Sequence, residues 1–390
     1  MKTAKALLLV MLCAAVANAH NQKSPVVWEP SIDMDGQLFP SFIIATSTLR
    51  LEKFNQTKNA YYLGDATGHI GINVTSPSDD TKIRVEVRIS DIAEPSGFEG
   101  LLKEGGKHYK VFPKIAYRYA ALLAIKQPMP VSATFTLYVN DLLVGTKTKV
   151  IAVRSINDCV YQMVDNNDKV ARVPWMYTAY VNENHPWIDG LLRDALNTGV
   201  VTRFIGYQGT SDDVYRQVFA IWNVFQRRGF RYSSITTPTG ESGRVFSQYV
   251  RFFEDSIRTS QANCVDGSVM FASVLRRIGI DPVLVIVPGH CFLGFYVDRA
   301  QTDFRCIETT AMGNTNLSQY SEENTIVGAI AHLFGRETRN QASWRTFIAA
   351  LNIGADEFNR YHDSFENAAL GCYLLEIGAS RKLGISPINH

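Results

Sequence analysis

Three residues in one short stretch carry side chains that together can do nucleophilic chemistry. Cys264 supplies a sulfur, His290 an imidazole and Glu308 a carboxylate. An imidazole beside a thiol can take up its proton and later return a proton to a leaving group. A carboxylate on the other ring nitrogen fixes the orientation of that imidazole. The chain order Cys, His, Glu therefore predicts a catalytic triad.

The local sequence places Cys264 at the start of a helix. Apolar residues follow it at helical spacing as far as Ile278, and Gly279 is a common helix stop. The unpaired N–H groups and the dipole at a helix N-terminus favour the thiolate form of a cysteine. A lone cysteine in an apolar helix more often belongs to the core, but the small and polar run from Asn263 to Ser268 is typical of an accessible helix end.

His290 and Glu308 lie on segments that predict neighbouring strands. The predicted strands are residues 290–297 and 304–309, joined by the polar turn 298–303. Because side chains alternate between the faces of a sheet, we expect His290 to lie opposite Glu308. The same register puts Cys306 opposite Phe292, so Cys306 and Cys291 face opposite sides. The prediction is that no disulfide joins these two cysteines.

The order of a Cys on a helix, then a His and an acid on successive strands, resembles the transglutaminase-like branch of the papain-like cysteine enzymes. The resemblance covers about residues 210–312. Before the nucleophile it includes a helix, Val218–Phe225, and an aromatic segment, Gly229–Tyr232. After the nucleophile it includes Leu275–Pro282, which leads from the end of the Cys264 helix into the next strand. The chain departs from the family at Glu308, where Asp-Pro-Thr is more usual than Glu-Thr-Thr, and at the aromatic position two after the His, which is Phe292.

The resemblance implies thiolate attack on the carbonyl of an amide, in a peptide or a glutamine side chain, to give a thioester that water or an amine resolves. We expect the backbone N–H of Cys264 to hold the oxyanion, with Gln261 or Tyr232 as a second donor. Hydrolysis is favoured over cross-linking because an exported enzyme meets far more water than amine. The alternatives are a protein cross-linking transglutaminase and a secreted adhesion or scaffold protein that keeps the shell without turnover. No cofactor is implied.

A zinc site is the metal alternative to the triad. Its ligands would come from Cys264, His290, Cys291 and Cys306. The chain has no Cys-x-x-Cys pair, and the predicted strand faces scatter the thiols. The sequence therefore favours a site without metal.

The N-terminus has the charged, apolar and small-residue series of a secretory signal peptide. Lys2 and Lys5 precede an apolar run, and residues 17–19 read Ala-Asn-Ala. We expect cleavage after Ala19, so residues 1–19 are the signal and the protein is secreted or periplasmic. No later run is long enough to predict a membrane span, so we expect a soluble mature protein that acts on a peptide or protein substrate.

Charge and cysteine content agree with that placement. The signal carries two of the 39 Lys and Arg, so the remainder has 37 basic residues against 37 acidic ones, which gives no electrostatic basis for binding nucleic acid. One of the six cysteines lies in the signal. The odd number that remains leaves at least one free thiol in an oxidising compartment.

The chain after the signal predicts two domains of different architecture. Residues 24–154 alternate apolar and polar, clearly so at 83–89 and 133–139, which predicts an immunoglobulin-like antiparallel β-sandwich for spacing, stability or substrate docking. Residues 155–390 predict an α+β catalytic domain of the transglutaminase-like kind. Its expected helices include 182–196 and 212–229, and further helices in the C-terminal part, one around Trp344 to Leu351 and one at 368–381.

Overall fold

The fold is described from a computed structural model, which covers residues 26–50, 59–165, 168–234, 242–314, 330–367 and 370–388. It is 36% helical and 32% strand, so the α+β class is confirmed. The signal peptide predicted at residues 1–19 lies outside the described residues.

The first part of the chain is built mainly from two sheets. Its strands are β1 (Trp28–Ile32), β2 (Gln37–Leu38), β3 (Tyr62–Gly64), β4 (Ile70–Thr75), β5 (Thr81–Ile89), β6 (Ala93–Glu94), β7 (Ser96–Leu102), β8 (His108–Phe112), β9 (Ala116–Tyr117), β10 (Met129–Val139) and β11 (Leu142–Val153). Its helices are α1 (Asp33–Gly36), α2 (Pro40–Thr46) and α3 (Tyr119–Leu123). One sheet has the order β1-β4-β8-β3, the other has the order β2-β11-β10-β5-β7, and β6 pairs with β9.

Strict alternation explains why these segments form half-buried strands. In β5, Ile83, Val85 and Val87 are buried, and the residues between them are more exposed. In β10, Phe135 and Leu137 are buried in the same way. The strands expected at 83–89 and 133–139 are therefore confirmed. The buried faces of both sheets contribute to one hydrophobic cluster.

The second part contains more helix and three smaller sheets. Its strands are β12 (Asp158–Val164), β13 (Val170–Arg172), β14 (Arg231–Tyr232), β15 (Val245–Tyr249), β16 (Gln261–Ala262), β17 (Pro282–Val287), β18 (His290–Tyr296), β19 (Phe304–Ile307) and β20 (Tyr373–Glu376). Its helices are α4 (Trp187–Asn197), α5 (Ser211–Arg227), α6 (Phe253–Thr259), α7 (Cys264–Arg277), α8 (Arg336–Arg339), α9 (Ala342–Tyr361) and α10 (Ile377–Leu383). The sheet orders are β13-β12-β15, β14-β16 and β19-β18-β17-β20. Within the described ranges, every helix is too short or too polar to cross a bilayer.

The C-terminal helix prediction is wrong in part. Residues 368–369 lie outside the described residues, and residues 373–376 form β20, which pairs antiparallel with β17. Only Ile377–Leu383 is helical. Backbone pairing with the edge of β17 outweighs the helix propensity of the Leu and Glu residues in this segment. The expected helix at 182–196 begins later, at Trp187, and the helices expected at 212–229 and around Trp344 are confirmed.

Candidate active site

Cys264 is the first residue of α7 and is only partly buried. Asn263 caps this helix: its side-chain Oδ1 accepts a hydrogen bond from Asp266 N at 2.9 Å. In return Asp266 Oδ2 accepts one from Asn263 N at 3.1 Å. This reciprocal capping box fixes the first turn, so the predicted helix start at Cys264 is confirmed.

Asp266 is also the anchor of a buried ion pair. Its side chain is fully buried, and it accepts hydrogen bonds from Arg251 N at 2.8 Å and Arg251 Nη1 at 2.7 Å. Burial raises the pKa of Asp266, although the hydrogen bonds and charge of Arg251 oppose that rise. The pair ties the first turn of α7 to the segment before α6 and so holds the Cys264 backbone in place.

A two-residue turn positions His290 at the start of β18. β17 and β18 pair antiparallel with Val287 opposite His290, which leaves Pro288 and Gly289 as the turn. Gly289 has φ +75°, a value that glycine adopts without strain. The turn places the imidazole at the end of the hairpin, where it is only partly buried.

Glu308 contacts His290 directly. His290 Nε2 lies 2.6 Å from Glu308 Oε2, and the Glu308 side chain is 4% exposed. The other carboxylate oxygen, Oε1, accepts a hydrogen bond from Thr310 N at 2.8 Å. The backbone N of Glu308 donates to Ala350 O at 2.9 Å, which ties this residue to α9. The carboxylate is therefore held in one orientation toward the imidazole.

The strand register differs from the prediction by two residues. Cys306 lies opposite Gly294, not Phe292. If this register is continued, His290 falls opposite Thr310, and Glu308 becomes its diagonal neighbour, within reach of a long side chain. Glu308 itself lies just past the end of β19 and caps a 3₁₀ helix.

The predicted faces of the two cysteines are confirmed despite the register shift, because a shift of two leaves each side chain on its own face. Cys291 packs in the main core, whereas Cys306 belongs to a second cluster with Phe292. All five cysteines in the described ranges are free thiols. Only Cys264 among them is incompletely buried.

The electrostatics of His290 favour an imidazolium. Burial alone lowers the pKa of His290, but hydrogen bonds to Cys264 and Glu308, with the negative charges of both groups, outweigh it and raise the pKa to about 10. Since Nε2 is bonded to Glu308, Nδ1 is the nitrogen left for the sulfur. The structure thus brings all three residues of the predicted triad together.

Cys264 and His290 line a cavity of about 610 Å³. The three-stranded sheet β13-β12-β15 and the 3₁₀ helix Pro174–Tyr180 contribute much of its wall. The polar and aromatic residues of that wall are Tyr161, Gln162, Arg172, Tyr177, Ser247, Gln248 and Tyr249, with Tyr373 contributed by β20. The thiol therefore opens onto a concave space large enough for part of a peptide.

Gln248 is a cavity residue that the sequence did not single out. Its Oε1 accepts a hydrogen bond from the buried Tyr177 hydroxyl at 3.1 Å. This bond orients the amide and leaves Nε2 as a donor beside the cavity that contains Cys264. The backbone of Gln248 is held in β15, where it pairs with Cys159 of β12, a residue far away in the chain.

The two side-chain donors predicted from the sequence are not among the residues that line the cavity. Gln261 and Tyr232 belong to the paired strands β16 and β14, and neither lines the cavity. Tyr232 is 48% exposed. Its pKa is raised by burial first and then by the charges of Cys264 and Glu308. The role of Gln261 or Tyr232 as an oxyanion donor stays a prediction.

The described residues contain no group of three or more His, Cys, Asp or Glu side chains arranged to hold a metal ion. The four residues considered for zinc are divided, with Cys291 and Cys306 buried on opposite faces of one sheet.

No protein-family model matches the chain, and no curated protein matches it.

Proposed function

We propose that this protein is a thiol-dependent acyl-transfer enzyme with a transglutaminase-like catalytic domain, which hydrolyses an amide of a peptide or protein. The observation that supports it is the position of His290, 2.6 Å from the buried Glu308 and on the wall of the same cavity as Cys264. A nucleophile, a base and an orienting acid in this arrangement are the requirements for acyl transfer.

In the first half-reaction the Cys264 thiolate attacks the amide carbonyl carbon and forms a C–S bond. The carbonyl electron pair moves to oxygen, and its return breaks the C–N bond. The His290 imidazolium gives its proton to the leaving amine, so an acyl thioester and a neutral imidazole remain. Glu308 holds the ring in the orientation that this transfer needs.

In the second half-reaction His290 takes a proton from water as the water oxygen attacks the thioester carbon. The C–S bond breaks, the carboxylic acid leaves, and the thiolate and imidazolium are restored. An amine in place of water would give transamidation by the same steps.

The proposed mechanism assigns two donors to the oxyanion. The backbone N–H of Cys264 is in the first turn of α7, where N–H groups have no intrahelical acceptor. We assign the second donor to Gln248 Nε2, because its amide is oriented by Tyr177 and borders the same cavity. Such donors stabilise charge that develops only during the reaction.

The first part of the chain has a supporting role in this proposal. Its two sheets of alternating strands support an immunoglobulin-like domain that spaces or docks the catalytic part. The signal sequence supports export, so water is the acceptor that the thioester meets most often. The protein then acts on extracellular or periplasmic substrates.

The proposal is tested by the effect of His290 on Cys264 alkylation. Selective labelling alone is insufficient, because Cys264 is the only incompletely buried thiol among the described residues. We expect limiting iodoacetamide to modify Cys264 of the wild type at pH 6, where His290 is protonated. In His290→Ala the rate at pH 6 falls about tenfold or more, because the variant removes the positive charge beside the sulfur.

Peptide mapping by mass spectrometry measures the rate at each thiol, and circular dichroism checks the fold of the variant. If wild type and His290→Ala label at the same rate at pH 6, His290 does not activate the thiol, and a scaffold without turnover becomes the better assignment. Incubation with a protein digest and a primary amine then separates hydrolysis from cross-linking by the masses of the products.

A further inference from the structure

The cavity that contains Cys264 has an unbalanced set of charged side chains. Among the described residues of its lining, Arg172 and His290 are the only cationic side chains, and none is an Asp or a Glu. His290 is already paired with Glu308 and Cys264. The Arg172 side chain makes no hydrogen bond or ion pair with any other described residue. The cavity therefore offers an uncompensated guanidinium to whatever occupies it.

The position of Arg172 is fixed by a strand pair. It is the last residue of β13 and lies opposite Gln162 in the antiparallel register of β12 and β13. Gln162 also lines the cavity, so an amide and a guanidinium are cross-strand neighbours on one wall. Tyr161, the residue before Gln162 in β12, stacks on Tyr177 at 6.3 Å between ring centroids. The wall is thus rich in hydrogen-bond donors and aromatic surface.

The acids nearest in sequence are engaged away from Arg172. In the connection between β12 and β13, Asp165 accepts a hydrogen bond from Lys169 N at 2.9 Å. Asp168 lies 3.9 Å from the guanidinium of Arg244. Since neither acid pairs with Arg172, the five N–H donors of its guanidinium are not taken up by any described residue and can bind a ligand.

We infer that Arg172 selects substrates that carry a carboxylate beside the amide that is cleaved. This inference rests on the proposed function and names its substrate class: acidic peptides, with a side-chain or terminal carboxylate bound by Arg172 and supported by Gln162. A planar guanidinium matches a carboxylate through two parallel hydrogen bonds. The reacting carbonyl lies at Cys264 while the carboxylate lies at the β12–β13 wall of the same cavity.

The test uses acetylated peptide chloromethyl ketones that alkylate Cys264. Two series, Ac-Xaa-Ala and Ac-Xaa-Ala-Ala, place Glu, Gln or Lys at either of two distances from the reactive group. We expect wild type to react fastest with the Glu probe of one series. Its alkylation rate should be roughly fivefold that of the Gln probe, because an ion pair at an exposed arginine is weak. About 0.5 M salt should reduce that ratio because it screens exposed charges.

Two variants and one matched control complete the experiment. Arg172→Gln brings the Glu to Gln ratio to about one, and Arg172→Glu makes the Lys probe the fastest. Arg88→Glu makes the same change of charge at an exposed residue of β5, outside the cavity, and leaves the wild-type order unchanged. Reversal of preference in the charge-reversed variant is a result that simple misfolding cannot produce.

The outcome separates this inference from the proposed function. Equal rates with Glu, Gln and Lys probes in wild type, or a Glu preference that survives in Arg172→Gln, would overturn the role of Arg172 alone. Absence of any reaction at Cys264 with either the probes or iodoacetamide would instead overturn the proposed enzyme.

Discussion

Gly267 and Thr309 pack so closely that a β-carbon added to Gly267 would lie 2.8 Å from Thr309 Oγ1 and 3.1 Å from Thr309 Cβ. Gly267 belongs to the first turns of α7, which begins at Cys264, and Thr309 follows Glu308. The contact therefore sets the spacing between the helix that carries the thiol and the segment that carries the carboxylate.

We predict that Gly267→Ala destabilises the protein and slows Cys264 alkylation at pH 6. Alanine in place of glycine gains about 1 kcal/mol of helix propensity. Overpacking against the stiff Thr309 side chain costs about 1–3 kcal/mol, so the net change should be a loss of about 1 kcal/mol. Urea unfolding measures the free energy, and iodoacetamide labelling measures the thiol.

Gly190→Ala is the control for helix propensity. Gly190 lies within α4, and its added β-carbon would meet only Arg193 Nη2, at 3.9 Å. This variant should be more stable by about 0.5–1 kcal/mol, with unchanged alkylation. An equal gain in Gly267→Ala would show that the contact with Thr309 does not constrain the site.

We predict that Glu308→Gln reduces hydrolysis on the order of 100-fold or more. The variant removes the negative charge that helps to raise the pKa of His290 while keeping nearly the same shape. The His290 imidazolium should therefore lose its proton at a lower pH. Alkylation of Cys264 near neutral pH should then be slower than in the wild type. Activity with the best substrate and alkylation from pH 5 to 9 measure the two effects. A variant with wild-type activity would remove Glu308 from the triad.

The approach of His290 to Glu308 is predictable because β18 and β19 form one hairpin with a short polar connection, and Glu308 directly follows β19. The register is not, because a distant helix fixes it. In α9, a β-carbon on Gly354 would lie 2.8 Å from Cys306 C, so helix and strand are in close contact. The Ala350 carbonyl, also in α9, accepts the Glu308 N–H. Neither contact leaves a signal in the sequence around β19.

The assignment of the second oxyanion donor depends on a different kind of information. Gln261 and Tyr232 are candidates from the sequence because they are near Cys264 in the chain or in the family pattern. The cavity wall is instead assembled from β12, β13 and β15, whose pairing joins residues far apart in the chain. Gln248 is polar in a strand and carries no motif, so its role depends on tertiary pairing that local patterns do not encode.

We predict that Gln248→Leu weakens binding of a peptide aldehyde on the order of 100-fold, without changing the rate of iodoacetamide alkylation. The aldehyde forms a tetrahedral hemithioacetal whose oxygen needs the donor, whereas alkylation at sulfur develops no such oxygen. Inhibition constants against the best substrate, with labelling rates in parallel, measure the two effects.

Gln261→Leu is the matched control, because Gln261 does not line the cavity and should leave both values unchanged. If Gln261→Leu weakens the aldehyde and Gln248→Leu does not, the donor predicted from the sequence is correct and our assignment of Gln248 is wrong.

The contribution of His290 to stability should depend on pH in a defined direction. Its pKa rises from an ordinary value of 6.5 to about 10 in the folded protein. The folded state therefore binds the proton more tightly than the unfolded chain, and the resulting stabilisation is complete below about pH 6.5 and is lost as the pH rises toward 10. The difference in unfolding free energy between wild type and His290→Gln should shrink over this range.

Urea unfolding at intervals of one pH unit measures this difference. The control is His362→Gln, because the His362 side chain is 68% exposed. A difference that is constant or grows from pH 6.5 to 10 would mean that the imidazolium is not stabilised by Cys264 and Glu308.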